Sequence, residues 1–192
     1  RKMSNLTSPP IDRLPVHTYV LEYDELVIAE AIKKELLRDG QVYYLSNRVE
    51  NIEEVAKKVK TLAGKEARVA VAHGRMQPSQ VEDIMLDFIN HDIDILVCTT
   101  ILESGIDIPN ANTIIVENAD RLGLAQLYQI RGRVGRSNRL AYAYITYEKD
   151  KQISEISEKR LKAIKDFTEF GSGYKIALRD LELRGAGSLL GN

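Results

Sequence analysis

Residues 41–64 read QVYYLSNRVENIEEVAKKVKTLAG. An almost continuous apolar run comes first, then a polar break, then a stretch with helical periodicity. The run QVYYLSN lacks the inside–outside alternation of a half-solvated strand, so it predicts a strand covered on both faces. The pattern repeats in both directions. Upstream, VHTYVLEY (16–23) predicts a strand and DELVIAEAIKKELLRDG (24–40) an amphipathic helix, with Asp24 as N-cap and Gly40 as C-cap. Downstream come strand RVAVAH (68–73), helix PSQVEDIMLDFINH (78–91) opened by Pro78, and strands IDILVCTT (93–100) and NTIIVEN (112–118). Helix GLAQLYQIRGRVGR (123–136) and strand LAYAYITY (140–147) follow. Such a series predicts an α/β fold, a mostly parallel sheet with helices on both faces. Ligands of these sheets sit beyond the carboxyl ends of the strands. The unusual residues lie there: Asn47 and Arg48, His73 and Gly74, Thr99 and Thr100, and the loop 105–109.

A chain of 192 residues with 44% hydrophobic composition suits one such domain with an appendage. Lys and Arg number 27 against 28 Asp and Glu, so a nucleic-acid site has to be a local patch rather than a general bias. The single Cys98 sits inside an apolar run, which points to a buried small residue and excludes a disulfide framework or a cysteine zinc site. His17, His73 and His91 have no acidic or cysteine partners at metal-ligand spacing, and no Ser-His-Asp arrangement is supported. No apolar run approaches a membrane span and residues 1–10 lack the apolar core of a signal peptide, so a cytoplasmic protein is expected. The chain begins at Arg1 and stops at LLGN without a cap signal, as expected of a piece of something longer.

Beyond Tyr147 the alternation stops. Residues 148–170 and 174–187, joined by GSG, predict an antiparallel helical hairpin followed by a glycine-rich loop. Lys159, Arg160, Lys162 and Lys165 cluster there, but Glu155, Glu158 and Asp166 interleave with them, which reads as a solvated face.

The segment 126–139, QLYQIRGRVGRSNR, is the most unusual. On a helix, Gln129, Arg133 and Arg136 share one face and Leu127, Ile130 and Val134 the other. Gly132 and Gly135 each cost about 1 kcal/mol relative to alanine in a helix interior, which makes sense where a ligand or another backbone approaches closely. A solvated basic face explains neither the glycines nor the lack of acidic residues between Asp120 and Glu148. Guanidinium groups suit a transferring phosphoryl group, where they contribute about 10³ to 10⁵ in rate.

Gln129, Gly132, Arg133, Gly135 and Arg136 match Q-x-x-G-R-x-G-R, and the segment resembles motif VI of superfamily 2 helicases and translocases. ILVCTTILESGIDIPNAN (95–112) resembles their motif V, QVYYLSNR their motif IV, and AHGRM the backbone-contacting element between the two. The resemblance implies a RecA-like, P-loop NTPase-type lobe. It implies catalytic roles for Arg133, Arg136 and Gln129, and a nucleotide-facing set of Glu103, Gly105 and Asp107. Thr99, Thr100, Arg48, His73 and Gly74 become contacts to the DNA backbone. His73 also fits a capped strand end, and Asp107 a turn closing before Pro109. No G-x-x-x-x-G-K-[ST] loop occurs, since Gly64 and Lys65 are followed by Glu66, and no acidic Mg²⁺-binding box follows an apolar strand. The family carries those elements on a first lobe, so ATP and Mg²⁺ are expected to be held mainly by a lobe outside this sequence.

The C-terminal stretch IALRDLELRGAGSLLG (176–191) resembles the TRG (translocation in RecG) module. That module is shared by RecG-type branched-DNA helicases and bacterial transcription-repair coupling factors, and Ala186 together with PPIDRLPVHTYVLEYDE (9–25) lies closer to the latter. The resemblance implies a lead-in over 1–15, a RecA-like domain over 16–150 and a TRG hairpin with an incomplete loop over 151–192. Arg184 would couple hairpin to motor, although it also fits a surface residue near a chain end. The implied partners are double-stranded DNA, the first lobe of the same parent chain, RNA polymerase and nucleotide-excision-repair proteins. The implied parent activity is ATP-driven translocation on duplex DNA that displaces stalled polymerase. The alternatives are a RecG-type fork-remodelling lobe, a non-catalytic module that binds DNA or protein, and a small-molecule-binding α/β domain. The last is disfavoured because no glycine-rich fingerprint follows the first strand.

Overall fold

The computed structural model describes residues 16–46, 50–99, 108, 110–122, 139–148 and 152–168, apart from the side chains at 165, 167 and 168. In chain order these form β1 (Val16–Glu22), α1 (Glu25–Leu37), β2 (Gln41–Leu45), α2 (Ile52–Ala63), β3 (Val69–Ala72) and α3 (Pro78–Ile89). Then come β4 (Ile95–Cys98), β5 (Ala111–Val116), a 3-10 turn (Ala119–Arg121), β6 (Ala141–Tyr147) and α4 (Glu155–Thr168). The strands make one sheet in the order β1-β6-β5-β2-β4-β3, and every neighbouring pair is parallel.

Burial follows position in the sheet. Every residue of β2, β4 and β5 is buried, as the continuous apolar runs require. β1, at one edge, begins with strict alternation of buried and exposed residues. The central strands still sort their side chains by the two-residue period. Val42, Tyr44, Ile95 and Val97 meet Ile28 and Ile32 of α1 and Val55 and Val59 of α2 on one face. Tyr43, Leu45, Leu96 and Cys98 meet Met85 and Phe88 of α3 on the other. Leu161, Ala163 and Ile164 of α4 join that second core, so this helix packs on the sheet itself.

The helix ends combine expected and unexpected chemistry. The Asp24 carboxylate accepts the Leu26 N–H at 2.9 Å and caps α1. At the other end Arg38 is the C-cap, and Asp39, not Gly40, takes the left-handed conformation with φ 60°. The Asp39 N–H bonds the Leu36 carbonyl and the Gly40 N–H the Glu35 carbonyl, the double closure of a Schellman turn. Gly40 is required for space, since a Cβ there would lie 1.7 Å from Glu35 Oε2. The expected Gly40 C-cap is therefore corrected by two positions, to Arg38, with Asp39 as the left-handed residue after it. α3 opens with Pro78 and a reciprocal Gln77–Gln80 box. α4 starts later than the charged run suggested: residues 152–154 are not helical, and Ser154 Oγ accepts the Ser157 N–H at 3.1 Å at the helix start. The expected helix 123–136 and the second hairpin arm 174–187 lie outside the described residues.

Candidate functional site

The carboxyl ends of the strands are where chemistry-bearing side chains gather. Ala72 pairs with Cys98 in the β3–β4 ladder, which sets His73 beside Thr99. The Ser46 N–H donates to the Cys98 carbonyl at 2.8 Å, so the end of β2 lies next to both. His73, Gly74 and Thr99 are thus brought together at one edge. His73 is half-buried and its Nδ1 accepts the Arg75 N–H at 3.1 Å, closing a tight loop. Gly74 is exposed with open space around the position of a Cβ. Thr99 is only 6% exposed, so its side chain offers a ligand little surface, and Gly74 is the exposed member of the three. Arg75, exposed in the same loop, stands 3.8 Å from Glu50, a solvated pair of little energetic weight. Arg48, Thr100, Glu103, Gly105, Asp107, Gln129, Arg133, Arg136 and Arg184 lie outside the described residues.

Next to this edge, a cavity of about 410 Å³ opens between the ends of β1, β2, β5 and β6. Tyr23, Ser46, Asn51, Lys58, Glu117, Asn118, Thr146 and Glu148 line it. Its wall is a connected polar network. The Tyr44 hydroxyl donates to Glu117 Oε2, Tyr23 and Tyr44 share a hydrogen bond of 2.7 Å, and Lys58 Nζ donates to Glu117 Oε2 at 2.9 Å. The Lys58 ammonium also lies 4.6 Å from the centre of the Tyr23 ring, a cation–π contact.

Burial drives the protonation states. It pushes the Tyr44 phenol well above its ordinary range, with the Glu117 charge adding to the effect, and it raises Tyr23 as well. Burial alone lowers Lys58, but its hydrogen bond to Glu117 and that residue's charge outweigh it, and the net shift is upward. All three side chains therefore hold their protons through neutral pH and act as hydrogen-bond donors rather than general bases. Burial raises the Cys98 thiol to about 12, which removes it as a nucleophile. Among the described residues no group of three or more His, Cys, Asp or Glu side chains could hold a metal ion. No helix among them is long and apolar enough to cross a membrane.

The Tyr23–Tyr44–Glu117–Lys58 network was not anticipated from sequence. Two signals pointed to it. A tyrosine inside a fully buried strand needs a hydroxyl partner, and Glu117 directly follows the apolar run TIIV at a strand end, the same kind of position as His73 and Thr99.

The profile of the helicase conserved C-terminal domain matches residues 26–138. The transcription-repair-coupling factor of Bacillus subtilis (strain 168) is 58% identical over 191 residues, covering 100% of this chain and 16% of that protein. The chain thus spans about a sixth of the length of such curated relatives. Among solved structures, RecG bound to a three-way DNA junction superposes with a TM-score of 0.77 at 33% identity, covering 94% of this chain and 24% of that one. The C-terminal domain of the DEAD-box protein Dbp5 superposes with a TM-score of 0.55 at 18% identity, covering 82% of this chain and 87% of that one, a likeness of fold alone. The parallel six-stranded sheet is the RecA-like fold of these C-terminal lobes. With more than half its length inside the profile, the chain belongs to the helicase conserved C-terminal domain family.

Proposed function

We propose that this chain is the second motor lobe of an ATP-dependent double-stranded DNA translocase of the transcription-repair-coupling type. The observation that carries this reading is the 58% identity to the B. subtilis factor along 191 residues. The domain covers 16–150 and is followed by a TRG hairpin over 151–192. Arg133 and Arg136 place positive charge on the γ-phosphate as its charge develops, and Gln129 orients the groups around it. Glu103, Gly105 and Asp107 line the nucleotide cleft from this side. His73, Gly74, Thr99, Thr100 and Arg48 hold the DNA backbone, where hydroxyls and free N–H groups position a duplex without reading its sequence. Arg184 links the hairpin to the motor.

A first lobe of the same parent chain supplies the phosphate loop and the Mg²⁺ ligands. The bound nucleotide supplies the free energy for movement. The parent displaces stalled RNA polymerase and brings in nucleotide-excision-repair proteins in the cytoplasm. A RecG-type fork-remodelling lobe is the second reading, favoured by the superposition on RecG.

In the full-length protein, Arg133→Ala or Arg136→Ala should lower kcat for ATP hydrolysis by about 10³-fold or more while ATP affinity changes little. Loss of affinity with turnover preserved would contradict the assignment. The isolated chain should hydrolyse no ATP. Release of a stalled polymerase by the full-length protein supports the coupling-factor reading, whereas remodelling of branched DNA without polymerase release supports the RecG-type reading.

A further inference from the structure

The two faces of the sheet are finished differently at the β1 edge. On one face Leu161 and Ile164 of α4 join the core with Val16 of β1 and Ala141, Ala143 and Ile145 of β6. On the other, Ile28 and Ile32 of α1 join Val42, Tyr44 and Ile115, so this helix sits over β2 and β5. Beyond it β6 and β1 present rings. The register sets His17 beside Tyr142 and Tyr19 beside Tyr144. Both pairs stack, with centroids 5.6 and 5.2 Å apart and planes 26° and 25° from parallel. His17 is exposed, and Tyr19 is 45% exposed. Lys34 Nζ lies 4.7 Å from the centre of the Tyr142 ring and the Arg38 guanidinium 5.4 Å from it, which joins the stripe to α1. Arg38 is committed to Glu35, whose carboxylate its Nε and Nη2 hold at 2.7 Å each. Among the described residues Lys33 and Lys34 are exposed and have no carboxylate partner.

Cross-strand ring pairs stabilise a sheet by about 0.2–1 kcal/mol each, and β-branched pairs would do so without leaving ring surface in water. His17 and Tyr19 are two residues apart on one strand, so their rings stand about 6.6 Å apart along it. Two neighbouring ring platforms with unpaired ammonium groups beside them are complementary in shape and charge to an unpaired nucleotide strand. Its bases stack on the rings and its phosphates face the lysines. An acidic peptide would satisfy the lysines but brings no flat π-face for each ring, and a duplex keeps its bases in its own stack. We propose that His17, Tyr19, Tyr142 and Tyr144, with Lys33 and Lys34, form a second nucleic-acid site, a platform for single-stranded DNA. It lies at the β1 edge strand, whereas His73 and Thr99 follow β3 and β4 at the opposite side of the sheet. Stacking of this kind tolerates any sequence, because every base has a π-face. The choice of DNA over RNA rests on the translocase reading above; the ring and lysine geometry does not.

The test measures binding of fluorescein-labelled oligo(dT), oligo(rU) and a blunt duplex to the full-length protein. Tyr19→Leu keeps apolar bulk and removes the ring, and it should weaken oligo(dT) binding about tenfold. Tyr19→Phe keeps the ring and should stay within about twofold of the unsubstituted protein. Both variants should retain blunt-duplex affinity and duplex-stimulated ATPase. Lys33→Gln with Lys34→Gln should lower the slope of log Kd against log salt for oligo(dT) by about 1.4. A ring with a structural role alone would lower Tm in Tyr19→Leu and leave oligo(dT) affinity in place, which overturns the proposal. Equal weakening by Tyr19→Phe overturns it too, and tighter binding of oligo(rU) than of oligo(dT) overturns the choice of DNA. Should Tyr19→Leu fail to fold, photocrosslinking of an iododeoxyuridine-substituted oligonucleotide to the unsubstituted protein decides. Adducts within 16–22 or 141–147 are expected, and their absence overturns the platform. Absence of duplex-stimulated ATPase in the unsubstituted protein would sink the translocase reading instead, while its oligo(dT) affinity and adducts still decide the platform.

Discussion

Lys58 on α2 and Glu117 at the end of β5, 59 positions apart in sequence, meet at 2.9 Å on the wall of the carboxyl-edge cavity. Tyr44 donates to the same carboxylate oxygen from the strand between them. One anion therefore gathers a helix and two strands at the edge where His73 and Thr99 also stand. The pair is partly shielded, with the side chains 35% and 13% exposed. Its energetic weight should fall between that of a surface pair and that of a fully buried one.

Glu117→Gln keeps the shape and an acceptor but removes the charge. It is expected to destabilise the lobe by about 1–2 kcal/mol in urea unfolding. Combined with Lys58→Met, the loss should be smaller than the sum of the two single losses, because the partners no longer strand each other. Strict additivity would show that the two side chains do not interact in solution.

Alkali should weaken the fold before acid chemistry at these groups matters. Tyr44 and Lys58 both have folded-state values raised above their ordinary 10.0 and 10.5, and Cys98 is raised from 9.0 to about 12. A raised value means that the folded state holds its proton more tightly than the unfolded state does. The associated stability is complete below the ordinary values and is lost as pH climbs through the folded ones. The unfolding free energy should decline from about pH 9 upward, and Cys98→Ala should remove the earliest part of the decline. A flat profile to pH 11 would refute the assigned shifts.

Gly40→Ala forces the Glu35 carboxylate out of the position that Arg38 and Thr113 hold, since Oε2 is 1.7 Å from the new Cβ. The expected loss is about 1–3 kcal/mol. In a Glu35→Ala background the same change should be nearly silent. A full loss in that background would place the cause in the Gly40 backbone instead.

Ile164→Ala tests whether α4 is integral to the lobe. The side chain is 0% exposed and sits in the core shared with β6 and α3. Its truncation should cost about 2–5 kcal/mol in a single cooperative transition. A separate low-stability transition for α4 would argue that the helix docks as an independent unit.

Much of this architecture was readable from the chain. The run at 41–47 contains the fully buried strand β2, and the run at 112–118 overlaps β5 from its second residue, because a strand covered on both faces excludes polar alternation. Asp24 and Pro78 marked helix starts through local chemistry that needs no distant partner. Gly40 was misread because a left-handed C-terminal residue and a glycine demanded by a neighbouring carboxylate look alike in sequence. The late start of α4 was hidden because charge spacing continues upstream of Ser154 whether or not the backbone is helical. Glu103, Gly105, Asp107, Gln129, Arg133 and Arg136 stand on motif spacing alone, outside the described residues.

Sequence settles the local questions here: which segments are strands, which are helices, and which family's spacing Gln129 to Arg136 follows. Periodicity and capping act over one or two turns, so the residues themselves carry that information. The meetings of Lys58 with Glu117, of His73 with Thr99 and of Arg139 with Asn110 depend on the order β1-β6-β5-β2-β4-β3. That order emerges when crossovers of different lengths pack on opposite faces of one sheet. No local preference encodes it, and so the polar neighbours at both edges became visible only in the folded chain.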